Sequence, residues 1–260
     1  MAQTLLLRAP SNAVLTVELD PEPVVCTTAT DARYAGAPGD GTYTLQMGSL
    51  GYQDIANEAI LPATIVDRFV VDGREVRLAV GNEGVNATAA LIDQWHEAML
   101  VYTGPPPSRF HVYEAFSKFS FEDSPEGMAA IPRPGTGLQL MSEAVKIVVP
   151  DRGSLNAPGL GVGPSPSPSA TPTGSAGPSP TVVPTSRPTI VPSFTGLPTR
   201  HGEVWRIEGQ LPDRPGNGAN TYIYIIGTPA GAAEVIFDAE PTVDDATLLG
   251  WLDTINLAWS

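Results

Sequence analysis

A long stretch rich in proline, serine, threonine and glycine, residues 153–198, constrains this chain more than any other feature. It contains a single charged residue, Arg187, and almost no apolar residues at a regular spacing. A segment of this composition buries too little apolar surface to offset the entropy lost on ordering, so we expect it to be disordered or extended. Such tracts are commonest outside the cytoplasm, and the sequence therefore predicts an extracytoplasmic protein, secreted or on a cell surface, or a component of a virion.

The remainder of the chain has the composition of an acidic globular protein. The 260 residues include 28 acidic and 14 basic side chains, for a net charge of −14, and 42% are hydrophobic. No basic cluster occurs, which argues against a nucleic-acid partner. No run of about 18 apolar residues occurs, so we expect no membrane span. Residues 1–8 lack the features of a signal peptide, so we expect either a removed signal or another route out of the cell.

The clearest local signal is a hairpin in the first part of the chain. Asp72-Gly73 is the dipeptide typical of a two-residue type I′ turn, and strand-like runs flank it on both sides. The turn sets the register of the two strands and places Phe69 opposite Val76. Further strands are predicted over residues 13–19 and 42–47.

A helix is predicted directly after this hairpin, over residues 87–102. Leu91, Trp95 and Met99 recur at helical spacing, and Asn86 is a suitable N-cap. A glycine and three prolines follow, which fits the end of a helix.

The second part of the chain predicts the same order of elements. Strands are predicted over 110–121, 144–149, 204–209, 221–226 and 233–238. A final helix begins near Pro241, where Thr242 and Asp245 have the spacing of a capping box.

These elements predict an α+β fold of antiparallel sheets, each with a hairpin followed by a packing helix, in two similar small domains. The first domain spans residues 1–104 and the second spans 105–260, interrupted by the low-complexity segment 153–198. The residues after that segment are too few to form a core alone. We therefore expect the segment to loop out of the second domain and return to it.

No motif in the chain indicates a particular reaction. Cys26 is the only cysteine, which excludes an intramolecular disulfide and favours a buried structural thiol. His96, His111 and His201 lack the spacing of metal ligands, and no phosphate-binding loop or nucleophile elbow is present. The sequence therefore predicts no catalytic, metal-binding or cofactor-binding residues, and no cofactor.

Two aromatic pairs form a candidate interaction surface. Phe119 and Phe121 share one face of a predicted strand, and Tyr222 and Tyr224 share one face of another. Exposed aromatic strands bind sugars or protein edges, whereas buried ones belong to a core. The sequence leaves both interpretations open.

Three functional hypotheses follow. The leading one is a non-catalytic extracytoplasmic protein that binds a protein partner or assembles with itself. A structural subunit of a virion or filament is an alternative. A hydrolase with a carboxylate site between the two halves is a second alternative, and it requires two carboxylates, or a carboxylate with His96 or His111, to converge in one site.

Overall fold

The computed structural model describes residues 3–19, 26–36, 41–59, 62–81, 84–150, 153–159, 196–208, 222–236 and 245–260. These residues form 17 strands and three helices of eight or nine residues each. The fold is therefore mostly β, and the predicted α+β class with a packing helix after each hairpin is wrong. None of the three helices in this part of the chain has the length and apolar character needed to cross a membrane.

The strands are β1 (Gln3–Arg8), β2 (Val14–Leu19), β3 (Thr27–Ala35), β4 (Thr42–Ser49), β5 (Ala63–Val71), β6 (Arg74–Gly81), β7 (Asn86–Ile92), β8 (His96–Thr103), β9 (Phe119–Ser124), β10 (Gly127–Pro132), β11 (Gln139–Val149), β12 (Gly153–Pro158), β13 (Leu197–Pro198), β14 (Glu203–Glu208), β15 (Tyr222–Thr228), β16 (Gly231–Ile236) and β17 (Asn256–Trp259). The helices are α1 (Tyr52–Ala59), α2 (Arg109–Ser117) and α3 (Asp245–Leu252).

One antiparallel sheet of twelve strands organises the molecule. Its strand order is β13-β14-β15-β16-β12-β11-β3-β4-β8-β7-β6-β5. A three-stranded sheet, β1-β2-β17, and the hairpin β9–β10 complete the β structure. Both ends of the segment 153–198 belong to the large sheet. Residues Gly153–Pro158 form β12, which pairs with β11 and β16, and residues Leu197–Pro198 form β13, which pairs with β14.

Two hydrophobic cores lie on the same face of the large sheet. Val145 of the second core pairs with Thr30, and Thr30 pairs with Met47 of the first core. Directly paired residues project from the same face of a sheet, so the two cores share one continuous floor. The predicted arrangement of two repeated hairpin-and-helix units is therefore replaced by two cores on one sheet. The division at residue 104 stays a prediction.

Different elements cover the two cores. Helix α2 buries Val112, Ala115 and Phe116 in the first core, where the hairpin β9–β10 also packs. The small sheet β1-β2-β17 and helix α3 cover the second core, to which they contribute Leu15 and Leu252, among others.

Helix α1 lies on the opposite face of the large sheet. Its Ala56 packs against Ala90 of β7 and Met99 of β8. The buried carboxylate of Glu97 accepts the backbone N–H groups of Gly51 and Gln53, at 2.9 and 3.0 Å, at the N-terminus of this helix. These bonds satisfy backbone donors that have no partner within the helix.

The predicted helix over residues 87–102 is wrong, because this segment forms the hairpin β7–β8. Residues 87–91 are all buried, since core 1 covers one face of β7 and α1 covers the other. A strand buried on both faces shows no alternation, and its apolar run cannot be told from a helix by periodicity alone. Asn86 begins β7, and Trp95 lies in the exposed turn between the strands.

The predicted strand over residues 110–121 is wrong in its first part, where the chain forms α2. The hydroxyl oxygen of Ser108 accepts the backbone N–H of His111, which caps the helix. Val112, Ala115 and Phe116 are buried at the spacing of one helix face. The aromatic residues obscured this spacing in the sequence.

Other predicted elements are confirmed. The hairpin β5–β6 pairs Phe69 with Val76, and its turn residues Asp72 and Gly73 have positive φ angles of 51° and 81°, as a type I′ turn requires. Strands β14, β15 and β16 match their predicted positions. The final helix is α3, although it ends at Leu252, and the strand β17 follows it. Pro241 and Thr242 lie outside the described residues.

Candidate interaction surface

Strand β5 is a long, unpaired edge of the large sheet. Eight of its nine residues pair with β6 on one side, and no strand in the described part of the chain pairs with the other side. At the opposite end of the sheet, β13 has two residues, one of them Pro198. Short strands and prolines are devices that prevent a sheet edge from pairing. The two ends therefore differ, because β13 is short and contains a proline, whereas β5 is long and is interrupted only by a bulge at Val66 and the charged residues Asp67 and Arg68.

Backbone groups at this edge are available for pairing. In a two-residue hairpin, the residues next to the turn exchange both backbone hydrogen bonds, and bonding alternates from there. Val71 and Phe69 therefore bond to β6, whereas the N–H and C=O groups of Arg68 and Val70 point away from it. A bulge at Val66 limits the regular part of the strand to residues 67–71.

Two valines make the outer face of this edge apolar. Val66 and Val70 are 61% and 63% exposed, and Arg68 lies between them on the same face. In β6, the residues next to them on this face are Glu75 and Arg77. We call this set, Val66, Arg68, Val70, Glu75 and Arg77, the edge surface.

Charges on the hairpin that carries the edge surface are neutralised in pairs. Glu75 accepts hydrogen bonds from Arg68 at 2.7 Å and from Arg77 at 3.1 Å. Asp67 accepts two hydrogen bonds from Arg109, at 2.6 and 2.9 Å. The hydrogen bonds from Arg109 lower the pKa of Asp67, and those from Arg77 and Arg68 lower the pKa of Glu75. Both carboxylates are therefore held in the charged, paired form.

Further contacts fix the hairpin to the first core. The Arg109 guanidinium lies 5.3 Å from the centre of the Phe69 ring. Its hydrogen bonds to Asp67 raise the pKa of Arg109. Asp72 in the turn pairs with Arg133. The inner face of β5 is thus held against the first core, while Val66 and Val70 on its outer face are exposed to solvent.

The aromatic residues predicted as an interaction surface occupy other places. Phe119 and Phe121 are buried in the first core, where Phe119 packs edge-on against Tyr34. Tyr224 is buried in the second core. The backbone of Tyr222 lies in β15, and its side chain is outside the described residues. Burial gives Phe119, Phe121 and Tyr224 the core role that the sequence left open.

Val66 and Val70 were not identified as surface residues from the sequence, although their alternation along β5 indicates it. Arg68 lies on the outer face of β5, and Arg77 extends that polar face in β6. Val66 and Val70 alternate with polar residues on this same face. Two β-branched apolar residues on the solvent side of a strand are the pattern of an edge that binds another surface.

One histidine and one carboxylate, His96 and Asp123, form a hydrogen-bonded pair. The Nδ1 atom of His96 lies 2.7 Å from Oδ1 of Asp123, and both side chains are largely buried. The other oxygen of Asp123 accepts the backbone N–H groups of Trp95 and His96. Ser49 lies opposite His96 in the β4–β8 ladder. The described side chains show no hydrogen bond between Ser49 and His96. The bonds from Trp95 and His96 connect Asp123 to the β7–β8 turn.

The remaining candidate groups are separate from one another. His111 lies on α2 and contacts the ring of Tyr102, 6.0 Å between centroids. Cys26 is half-buried beside the second core, and burial raises the pKa of its thiol. Among the described residues, no three histidine, cysteine, aspartate or glutamate side chains come together as metal ligands.

Comparison with known proteins identified no relatives: no family model, no curated protein sequence and no solved structure matches this chain.

Proposed function

We propose that this chain is a non-catalytic binding and assembly protein that works outside the cytoplasm or in a virion, and that it pairs with a second copy of itself through β5. The observation that carries the proposal is the nine-residue unpaired edge with its exposed valines. The proline-rich segment supports the location, because such segments are commonest outside the cytoplasm.

A second copy fits this edge by geometry. An antiparallel strand is self-complementary about a twofold axis, and an axis at Phe69 places Arg68 of each copy opposite Val70 of the other. Arg68 and Val70 are the residues whose backbone groups point outward, so this register forms hydrogen bonds in both directions. No like charges face each other in this arrangement.

Charge also favours a second copy at this place. The protein as a whole carries a net charge of −14, so two copies repel each other over most approaches. On the β5–β6 hairpin, Asp67, Asp72 and Glu75 are each paired with arginine. Two copies can therefore meet along β5 without placing unpaired carboxylates together.

The twofold contact predicts a dimer and not an open filament. A contact that uses the same surface on both copies closes on itself, whereas a filament needs two different surfaces. The alternative of a virion or filament subunit therefore requires a further contact beyond the edge surface.

Light scattering coupled to size-exclusion chromatography tests the proposal with two opposite substitutions. The wild-type chain should elute with twice the mass of the 27.3 kDa monomer. Val70→Lys should give a monomer, because it places a lysine opposite Arg68 of the other copy. Val70→Glu should keep the dimer, because glutamate meets the same arginine.

Met141→Lys is the matched control, since Met141 is also exposed but lies in β11, away from the edge. It should leave the dimer intact, and circular dichroism should show all variants folded. A monomeric wild-type chain at high concentration, or a Val70→Lys variant that remains dimeric, would overturn the proposal.

The His96–Asp123 pair supports a second candidate function, hydrolysis of an ester by Ser49. Opposed residues in an antiparallel ladder have Cβ atoms about 4.5–5.5 Å apart, so Ser49 is within reach of the His96 ring. A carboxylate that orients a histidine beside a serine hydroxyl is the arrangement that activates serine as a nucleophile.

Hydrolysis of p-nitrophenyl acetate by the purified chain tests this second candidate. The activity should disappear in Ser49→Ala and persist in Ser142→Ala, whose serine lies in β11. No activity in the wild-type chain, or equal activity in Ser49→Ala, would reject it and leave the His96–Asp123 pair a structural clasp.

A further inference from the structure

Lys118 is a cation without a carboxylate partner at one end of the first core. It follows α2, and its Nζ atom donates a hydrogen bond to the hydroxyl oxygen of Tyr43 at 2.8 Å. The same nitrogen lies 4.9 Å from the centre of the Tyr43 ring. Among the described residues, no carboxylate lies within ion-pair distance of Lys118. Both side chains are half-buried, so the charge is only partly hydrated.

Tyr102 adds a second unsatisfied group on the same face of the sheet. Leu45 of β4 pairs with Leu100 of β8. Tyr43 is two residues before Leu45, and Tyr102 is two residues after Leu100. Residues two apart in a strand share a face, so both tyrosine side chains project to the same side of the sheet. The hydroxyl of Tyr102 is buried and has no hydrogen-bond partner in the described structure. Burial, and then the neighbouring Tyr43, raise the pKa of Tyr102, so its hydroxyl is a neutral donor.

Each polar side chain in this cluster can donate a further hydrogen bond. Tyr43 uses its oxygen to accept from Lys118, and the described structure provides no acceptor for its own hydrogen. Lys118 has two further N–H groups, and Tyr102 has one O–H. Leaving buried donors unmatched is costly, and a buried group of this kind calls for an explanation. A ligand with acceptor oxygens would satisfy these donors, and a negative charge on it would also balance the Lys118 cation.

We propose that Tyr43, Tyr102 and Lys118 form a binding site for a carboxylate group. A carboxylate has two oxygens that can accept several hydrogen bonds at once, and bonds to a charged acceptor are the strong ones. His111 borders the site, because its exposed ring contacts the edge of Tyr102. This site is separate from the edge surface, so its test is independent of dimer formation.

The experiment uses the fact that the chain has two lysines, Lys118 and Lys146. Isotope-labelled lysine gives two side-chain resonances by NMR, and Lys146→Arg assigns them. Titration of the full chain with sodium acetate at constant ionic strength should shift the Lys118 resonance in a saturable manner. The Lys146 resonance is the internal control and should stay in place.

Tyr102→Phe is the decisive variant. It keeps the ring in the core and removes a hydroxyl that has no partner in the free protein, so the free energy of unfolding should not fall. Acetate binding should weaken about tenfold, because one hydrogen bond to a charged ligand is lost. Lys118→Met should abolish binding.

Several results would overturn the proposal. Equal movement of the Lys118 and Lys146 resonances would show general salt effects only, and unchanged affinity in Tyr102→Phe would remove that residue from the site. Tighter binding of inorganic phosphate than of acetate would contradict a carboxylate ligand.

Discussion

The carboxylate of Glu97 accepts the backbone N–H of Gln53 across 44 residues of sequence, at a distance of 3.0 Å in a fully buried position. Together with the bond from Gly51, it ties the start of α1 to strand β8. These two backbone donors have no partner within the helix, so the Glu97 carboxylate caps its N-terminus, while Gln53 and Asn57 bond to Thr88 further along.

Glu97→Ala should therefore lower the free energy of unfolding by at least about 2 kcal/mol, because it leaves two backbone donors without acceptors. Urea denaturation followed by circular dichroism measures the effect. Glu58→Gln, on the exposed side of α1, should change the stability little. Equal effects of the two substitutions would contradict the capping role.

Two glycine-to-alanine substitutions distinguish the effect of backbone conformation on stability from the effect of steric contact. Gly73 and Gly250 both have open space around the position of an added Cβ, but Gly73 has a φ of 81° and Gly250 lies within α3. Gly73→Ala should destabilise by about 1 kcal/mol, because alanine resists positive φ. Gly250→Ala should stabilise by up to about 1 kcal/mol, because alanine favours a helix. Thermal denaturation of both variants checks the opposite signs.

Cleavage of the low-complexity segment should leave the molecule in one piece. Strand β12, at the start of residues 153–198, pairs with β16, which follows them in the chain, and the second core draws residues from both sides of residues 160–195. After limited proteolysis within residues 160–195, the two fragments should co-elute in size-exclusion chromatography and separate only in denaturant. Fragments that separate under native conditions would mean that the segment is an ordinary linker.

Acid should dissociate the proposed dimer. The folded pKa values of Asp67 and Glu75 are lowered by their arginine partners, so their stabilising contribution is present above the usual carboxyl range. That contribution is lost as the pH falls through the lowered values. The arginines Arg68, Arg77 and Arg109 then stay charged without partners, and two edges repel each other. Light scattering from pH 7 down to pH 3, with circular dichroism to confirm folding, measures this.

In the acid titration, an unchanged dimer mass across the range in which the chain stays folded would contradict the charge-pairing argument. Val70→Glu provides the control, since protonation of the new glutamate adds a further loss of pairing. Its dimer should therefore dissociate at a higher pH than that of the wild-type chain.

Local turn chemistry and strand alternation were sufficient to predict part of this fold. Asp72-Gly73 specifies its turn through backbone conformation alone, so the β5–β6 register followed without knowledge of the neighbours. Strand β7 could not be predicted in the same way. Its buried residues face α1 on one side and a core on the other, and that environment exists only after the chain has folded.

The candidate sites were less accessible from the sequence for a similar reason. Val66 and Val70 indicate an interaction surface only because β5 is the last strand of the sheet. Tyr102 indicates a binding site only because its hydroxyl has no hydrogen-bond partner among the described residues. Strand order and the position of a hydroxyl depend on contacts between distant segments. Neither follows from spacing along the chain.

The placement of both cores on one face gives the molecule a front and a back. A twofold axis through the β5 contact is perpendicular to the sheet, so the face that carries the cores lies on the same side in both copies. In the proposed dimer, the layers that cover the cores of both copies would lie on one side of the joined sheets, and among the described residues α1 is the helix that packs on the other side. A molecule that binds either side of such a dimer would meet the same surface of both copies.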